Sequence, residues 1–343
     1  MSIRHNYAGT GYKDWVARLG RYNREFLLLL YRSMLRIRII EEEIEKRYHE
    51  DQMKTPIHLV IGQEATSVGC CAALRDADLL YSSHRTHGNY LAKGGDLKAM
   101  LAEMFCRANG CAGSRGGSMH LIDKKVGMAG TSAIVGGAIP VATGAALAAK
   151  MRKIDSVSVV FLGEAAAEEG VTSESLNFAS LRQLPVIYFC ENNFYSVQSP
   201  LATRQHPGRV LWKWAETYGM RGVAVDGTNV LAVYESVKEA VQRARAGEGP
   251  TFIEAQLYRF RAHGGAGDDS KTGYRDIAER EAWEQFCPID TYHRFLESAS
   301  LIDANARKQM EREILDETVA AFEHAMNSPN PVEGDLYRDV YAN

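Results

Sequence analysis

The 343-residue sequence has no long apolar run. Its longest, Phe26–Tyr31, is closed at once by Arg32. A membrane-spanning helix needs roughly 18 or more apolar residues, so none is expected. The opening residues, MSIRHNYAGTGYKDWVARLG, lack the apolar segment of a secretory leader. Charge of one sign is also scarce: 40 Lys and Arg face 43 Asp and Glu, a net −3, which offers no broad attraction for nucleic acid or an anionic membrane. Six cysteines (Cys70, Cys71, Cys106, Cys111, Cys190, Cys287) show no paired zinc-type spacing and read as free thiols in a reducing cytoplasm. No Gly-x-Gly-x-x-Gly opens a helix after a strand, which disfavours a nicotinamide dinucleotide site. Internal repeats and low-complexity tracts are missing too.

What remains is an ordinary globular composition, 45% hydrophobic and 24% charged. Residues 23–50 carry Leu27, Leu30, Tyr31, Met34 and Ile37 at spacings of three and four, an amphipathic helix within an N-terminal helical arm, 1–50. The centre is an α/β domain, 51–285. SVSVVFLG (156–163) reads as a strand, GVTSESLNFASLRQL (170–184) as a helix and PVIYFCEN (185–192) as a second strand. That is one right-handed βαβ unit. Strands at 222–226 and 251–260, with a helix at 230–246 between them, extend it to a doubly wound parallel sheet flanked by helices. A helical region and tail, 286–343, close the chain. Residues 109–137 form a glycine-rich stretch without regular structure, long enough to suggest function. The helix that follows, IPVATGAALAAKM, is crowded with Ala and Gly and suits close packing, in the core or at a subunit interface.

In open α/β sheets ligands bind beyond the carboxyl ends of the strands. Glu164 follows the first central strand and Asn193 the second, so they are expected to be neighbours in space. A carboxylate beside an amide oxygen suits Mg²⁺, which takes few protein ligands and completes its shell with water and phosphate oxygens. Read alone, the same loops equally serve as polar helix caps.

The motifs decide further. A Gly-Asp-Gly followed by Asn-Asn is the signature of thiamine-diphosphate (ThDP) enzymes, and here the corresponding segments read GEAAAEEG and ENNFYSV. With HLVIGQEA (58–65), SHRTHG (83–88), GSRGGSMHL (113–121), IVGGAIPVATGAALA (134–148) and YRFRAHG (258–264), the chain resembles the alpha subunit of the two-subunit ThDP-dependent 2-oxo acid dehydrogenases, the group with the pyruvate, branched-chain and acetoin enzymes. The resemblance implies that Glu164 and Asn193 ligate Mg²⁺ through their side chains and Tyr195 through its carbonyl. Ala165 and Ala166 would lie against the diphosphate, and Ala133 and Val135 would line the cofactor. His84 and Arg85 stand where a Tyr-Arg pair reaches the diphosphate. His58 matches a histidine near the substrate, and His263 one on the active-site loop that meets the cofactor; either imidazole could steady an oxyanion or move a proton. The resemblance also implies a beta subunit that completes the site in an α₂β₂ tetramer, a 2-oxo acid or acetoin as substrate, and a lipoyl-bearing acyltransferase as acceptor.

Besides His84 in place of Tyr, three positions depart from the family pattern. Glu164 stands for Asp and Ala165 for the following Gly. The extra methylene is a shift of more than about 1 Å where Mg²⁺ tolerates little deviation from about 2.1 Å, which calls for a loop adjustment or a looser ion such as Ca²⁺ or Mn²⁺. Otherwise the subunit is a catalytically impaired scaffold; a ThDP-dependent carboligase or aldehyde transferase is a further alternative. The third departure is HGGAGDD, with glycine in place of the serine phosphorylated in mitochondrial relatives, so that control is not expected.

Overall fold

The computed structural model describes Trp15, residues 18–338 and residues 340–341. Residues 1–14, the bulk of the stretch read above for a leader, lie outside the described residues. Six strands form one sheet: β1 (Leu79–Ser82), β2 (Met128–Thr131), β3 (Ser158–Gly163), β4 (Val186–Asn192), β5 (Arg221–Asp226) and β6 (Thr251–Gln256). Their order is β2-β1-β3-β4-β6-β5, and every neighbouring pair is parallel. The expected parallel α/β sheet is thus present, with the helices α1 (Arg24–Arg47), α2 (Glu64–Cys71), α3 (Leu97–Met104), α4 (Ala138–Arg152), α5 (Gly170–Leu181), α6 (Val230–Arg245), α7 (Ile277–Glu284), α8 (Pro288–Ser298) and α9 (Ala304–Asn327) around it.

The central strands are apolar along their length because helices cover both faces. Successive side chains point to opposite sides and so divide between two cores. Val159, Phe161, Ile187, Phe189 and Ile253 join the larger one, where Leu27, Leu30, Met34 and Ile37 of α1 meet Val233 and Val237 of α6 and Phe322 of α9. Val160, Leu162, Tyr188 and Phe252 join the smaller one, against Ala142 and Ala146 of α4 and Leu176 and Ala179 of α5. The periodicity read along α1 is therefore the stripe it buries, and Asn23 caps its start by accepting the Phe26 N–H. On α4, Ala142, Ala146 and Ala149 are buried. Its outer side, with Val141, Gly144 and Met151, is open.

Two segments differ from expectation. The strand expected over 251–260 stops at Gln256, and beyond it Phe260 N–H bonds to Ile61 O, carrying the chain across the strand ends. The stretch 109–137 contains β2 and short 3₁₀ turns at Gly117–Met119, Lys124–Val126 and Val135–Gly137. β2 is an edge strand of sequence MAGT, too short and too poor in β-branched residues to register as an alternating pattern. No helix among the described residues is long and apolar enough to cross a membrane.

Candidate active site

β2 and β3 flank β1 on opposite sides, so a crevice opens at the carboxyl end of this part of the sheet. A cavity of about 470 Å³ lies there. It is lined by Ser83, His84 and Arg85 after β1, by Ala133 and Val135 after β2, and by Gly163, Glu164, Ala165 and Ala166 after β3. Glu191, Asn193 and Tyr195 come from the end of β4 and the turn after it, His263 from the loop after β6, and His58 and Gln63 from the segment before α2. Every residue singled out in the sequence therefore faces one space.

Local chemistry fixes each contributor. The segment bearing His58 is held by buried Glu41, whose Oε2 accepts the Val60 N–H at 2.8 Å while Oε1 binds His87 Nδ1 at 2.6 Å. Gly62 is required next: its φ is +98°, and a Cβ there would meet Tyr258 O at 2.5 Å. After β4 the chain turns through Phe194 at φ +69°. Asn192 Oδ1 accepts the Phe194 N–H and Asn193 Oδ1 the Tyr195 N–H, both at 3.2 Å, which steadies that left-handed turn. The His263 loop is pinned by Arg259, which reaches Val197 O at 2.8 Å, and by Asp269, which accepts the His263 N–H at 3.2 Å.

The electrostatics are uneven. Arg85 is buried and donates to Leu59 O at 2.5 Å and His263 O at 2.9 Å, with no carboxylate paired to it among the described residues. Burial, then the nearby Arg259, pulls its guanidinium down to about 10. Burial, followed by the Arg85 charge, lowers His58 to about 3, His84 to about 2 and His263 to about 4, so all three imidazoles are neutral at pH 7. Burial raises the Glu164 carboxyl, and Arg204 opposes it. Burial also raises Glu191 to about 7, against hydrogen bonds from Thr66 and Gln63 and the charge of Arg85.

A family model described as "Dehydrogenase E1 component" matches residues 32–333. The chain belongs to this family. It is 38% identical over 318 residues to the alpha subunit of an acetoin:2,6-dichlorophenolindophenol oxidoreductase from Bacillus subtilis (strain 168), covering 92% of this chain and 94% of that one. It is 33% identical over 341 residues to a pyruvate dehydrogenase E1 component subunit alpha from Rhizobium meliloti (strain 1021), covering 99% and 97%. A chloroplastic pyruvate dehydrogenase E1 alpha subunit from Arabidopsis thaliana is 38% identical over 322 residues, covering 92% and 74%. The resemblance drawn from the motifs thus holds: this is an E1 alpha chain, an oxidoreductase component of the ThDP-dependent class.

The cavity of this E1 alpha chain suits an anion beside a cation. Arg85 supplies a buried positive charge whose hydrogen-bond partners among the described residues are carbonyls, and a guanidinium fork matches phosphate oxygens. Glu164 is tied by its Oε1 to Arg204, which lies outside the cavity lining and also pairs with Glu168. The Glu164 carboxyl lines the cavity while Arg204 holds it from outside, an arrangement that steadies a ligating carboxylate. Gln63, Ser83, Met119, Glu169 and Glu191 share the cavity without a role having been assigned to them from the sequence, although each lies inside one of the motif segments quoted above.

Proposed function

We propose that this cavity holds the diphosphate end of ThDP with a divalent cation, Mg²⁺ by preference, in an enzyme acting on a 2-oxo acid or acetoin. Arg85 would bind phosphate oxygens, Glu164 Oε2, Asn193 Oδ1 and the Tyr195 carbonyl would hold the cation, and Ala165 and Ala166 would bring small side chains against the diphosphate. Ala133 and Val135 would form the apolar wall. The bound cofactor supplies a carbanion and an electron sink for decarboxylation. His84 beside Arg85 would donate a hydrogen bond to the cofactor. His58 and His263, both neutral, would donate an N–H to a developing oxyanion or accept a proton at the other ring nitrogen. The observation that carries this reading is the buried Arg85, without a paired carboxylate among the described residues, in one cavity with Glu164 and Asn193.

A beta subunit would complete the site, in an α₂β₂ tetramer serving a lipoyl-bearing acyltransferase. The exposed row Ile134, Val141, Met151 and Leu181, at 57–74% exposure around α4 and α5, supports coverage by another chain. Six free thiols, four of them buried, fit a cytoplasmic setting. One observation favours the rival, metal-poor scaffold: the Glu164 carboxylate already has a cation in Arg204. Calorimetry of the co-purified alpha–beta pair with ThDP, with and without Mg²⁺, separates the two. Metal-dependent micromolar binding, weakened at least tenfold by R85M, supports the enzyme. Binding that ignores the metal, or no binding, supports the scaffold.

A further inference from the structure

We propose that His58, His84 and His263 form a three-imidazole site for a divalent transition-metal ion, with zinc as its natural type, distinct from the Glu164–Asn193 donors. The inference goes beyond the cofactor reading; the metal site itself does not rest on that reading, and only its expected effect on activity does. One ring nitrogen from each histidine lies within 4.8 Å of the other two. The ring centroids are 4.4, 5.1 and 5.2 Å apart, with the planes turned 52–81° from one another, so the rings converge edge-on rather than stack. His58 is 8% exposed and lines the cavity, yet its Nδ1 has no hydrogen-bond partner among the described residues. Neither ring nitrogen of His84 or His263 has one among the described residues. A buried imidazole without a partner is a standing cost that an occupant would remove.

The three come from separate parts of the fold and are fastened to one another. Arg85, next to His84, donates to the carbonyls of Leu59, next to His58, and of His263 itself. Gly264 allows the contact, since a Cβ there would lie 3.1 Å from His58 Nε2. Tetrahedral zinc at about 2.0–2.1 Å from each nitrogen sets them about 3.3 Å apart. A closure of up to about 1.5 Å is therefore needed, within the turning range of the half-buried His84 and His263. The donor set holds no oxygen, which excludes Mg²⁺ and Ca²⁺ and suits zinc, cobalt, nickel or copper. Burial and the Arg85 charge keep all three rings unprotonated at pH 7, the state a metal requires. The same charge favours an anion, hydroxide or a carboxylate, at the open fourth position facing the cavity. A metal seated there would immobilise His58 and His263, so zinc is expected to inhibit the enzyme.

The test uses the full-length chain, free of purification tags and stripped with chelator, titrated with Co²⁺ alone and followed by visible absorption. One Co²⁺ per chain with the strong bands of four-coordinate cobalt, displaced by stoichiometric Zn²⁺, is the expected result. H84F and H263N, each checked for native circular dichroism, should weaken Zn²⁺ binding in calorimetry by more than the roughly 10–100-fold that loss of an outer-shell partner costs. C106S with C111S, which removes the two part-exposed thiols, should leave it unchanged. Weak six-coordinate cobalt bands, a thiolate charge-transfer band, or zinc affinity within threefold of wild type in both histidine variants would each overturn the assignment.

Discussion

Glu103 gives the sharpest energetic test. It sits near the end of α3, fully buried, and its carboxylate collects four backbone N–H groups from the glycine-rich stretch. Oε1 accepts from Gly116 at 2.6 Å and Gly117 at 3.1 Å, and Oε2 from Ala112 and Ser114, each at 2.9 Å. The glycines let the chain fold over this acceptor: a Cβ on Gly110 would lie 2.3 Å from Glu103 Oε2, and one on Gly116 would lie 2.1 Å from His120 O. E103Q keeps the size but turns one acceptor into an NH₂ facing two N–H donors. Each buried donor left unmet costs about 1–3 kcal/mol, so E103Q should lose about 2–6 kcal/mol, with 3–4 kcal/mol the central expectation. That is a large part of a typical total stability of about 5–15 kcal/mol. Urea unfolding should report the loss as a lower midpoint. Amide hydrogen exchange at Ala112, Ser114, Gly116 and Gly117 should quicken about 100-fold, since each 1.4 kcal/mol is a factor of about ten. Met119, two residues beyond the last of these N–H groups, lines the cavity, so ligand affinity should fall as well. E103Q within about 0.5 kcal/mol of wild type, with exchange unchanged, would refute the reasoning.

G62A meets both a left-handed φ and a backbone oxygen at 2.5 Å, and should yield little soluble protein, measured by recovery after expression. R204M strips Glu164 of its orienting cation and should lower Mg²⁺ affinity by about 10–100-fold in calorimetry; unchanged affinity would remove Arg204 from the site. For pH, burial pushes Asp268 up, but hydrogen bonds from Ser270 and Arg280 outweigh it and hold the carboxyl at about 2. A depressed carboxyl stabilises the fold above its ordinary pKa of about 3.8 and loses that contribution as pH falls toward 2. Protease nicking of the loop over 257–276 should therefore stay flat from pH 8 to 5 and rise below 4, and D268N should show the raised rate at every pH.

The parts of this molecule that could be read in its sequence are those whose physics is local. Val159 to Leu162 and Val186 to Cys190 announce strands because β-branched and aromatic residues fit a sheet covered on both faces, and α1 announces itself through a stripe of period near 3.6. The cavity-lining residues after β3 and β4 were legible for a related reason, since strand ends are where an open sheet leaves room. What was not legible depends on pairings that no window contains. Arg204 meets Glu164 only because the turn at Phe194 and Val197, both at positive φ, brings the chain back over the end of β3. The meeting of His58 with His84 and His263 needs Glu41 to hold one segment, Arg259 to hold another and Arg85 to join them. Each of those three charged residues is buried, against the ordinary preference of its type, and each is bound to backbone. Burying a charge is costly unless hydrogen bonds meet it, so these residues mark where the fold holds loops in place that propensity alone would leave free. The glycine-rich stretch follows the same rule, its shape set by one carboxylate on another element. In this fold the scaffold is written in apolar periodicity, and the site is written in buried charges that tie distant backbone together.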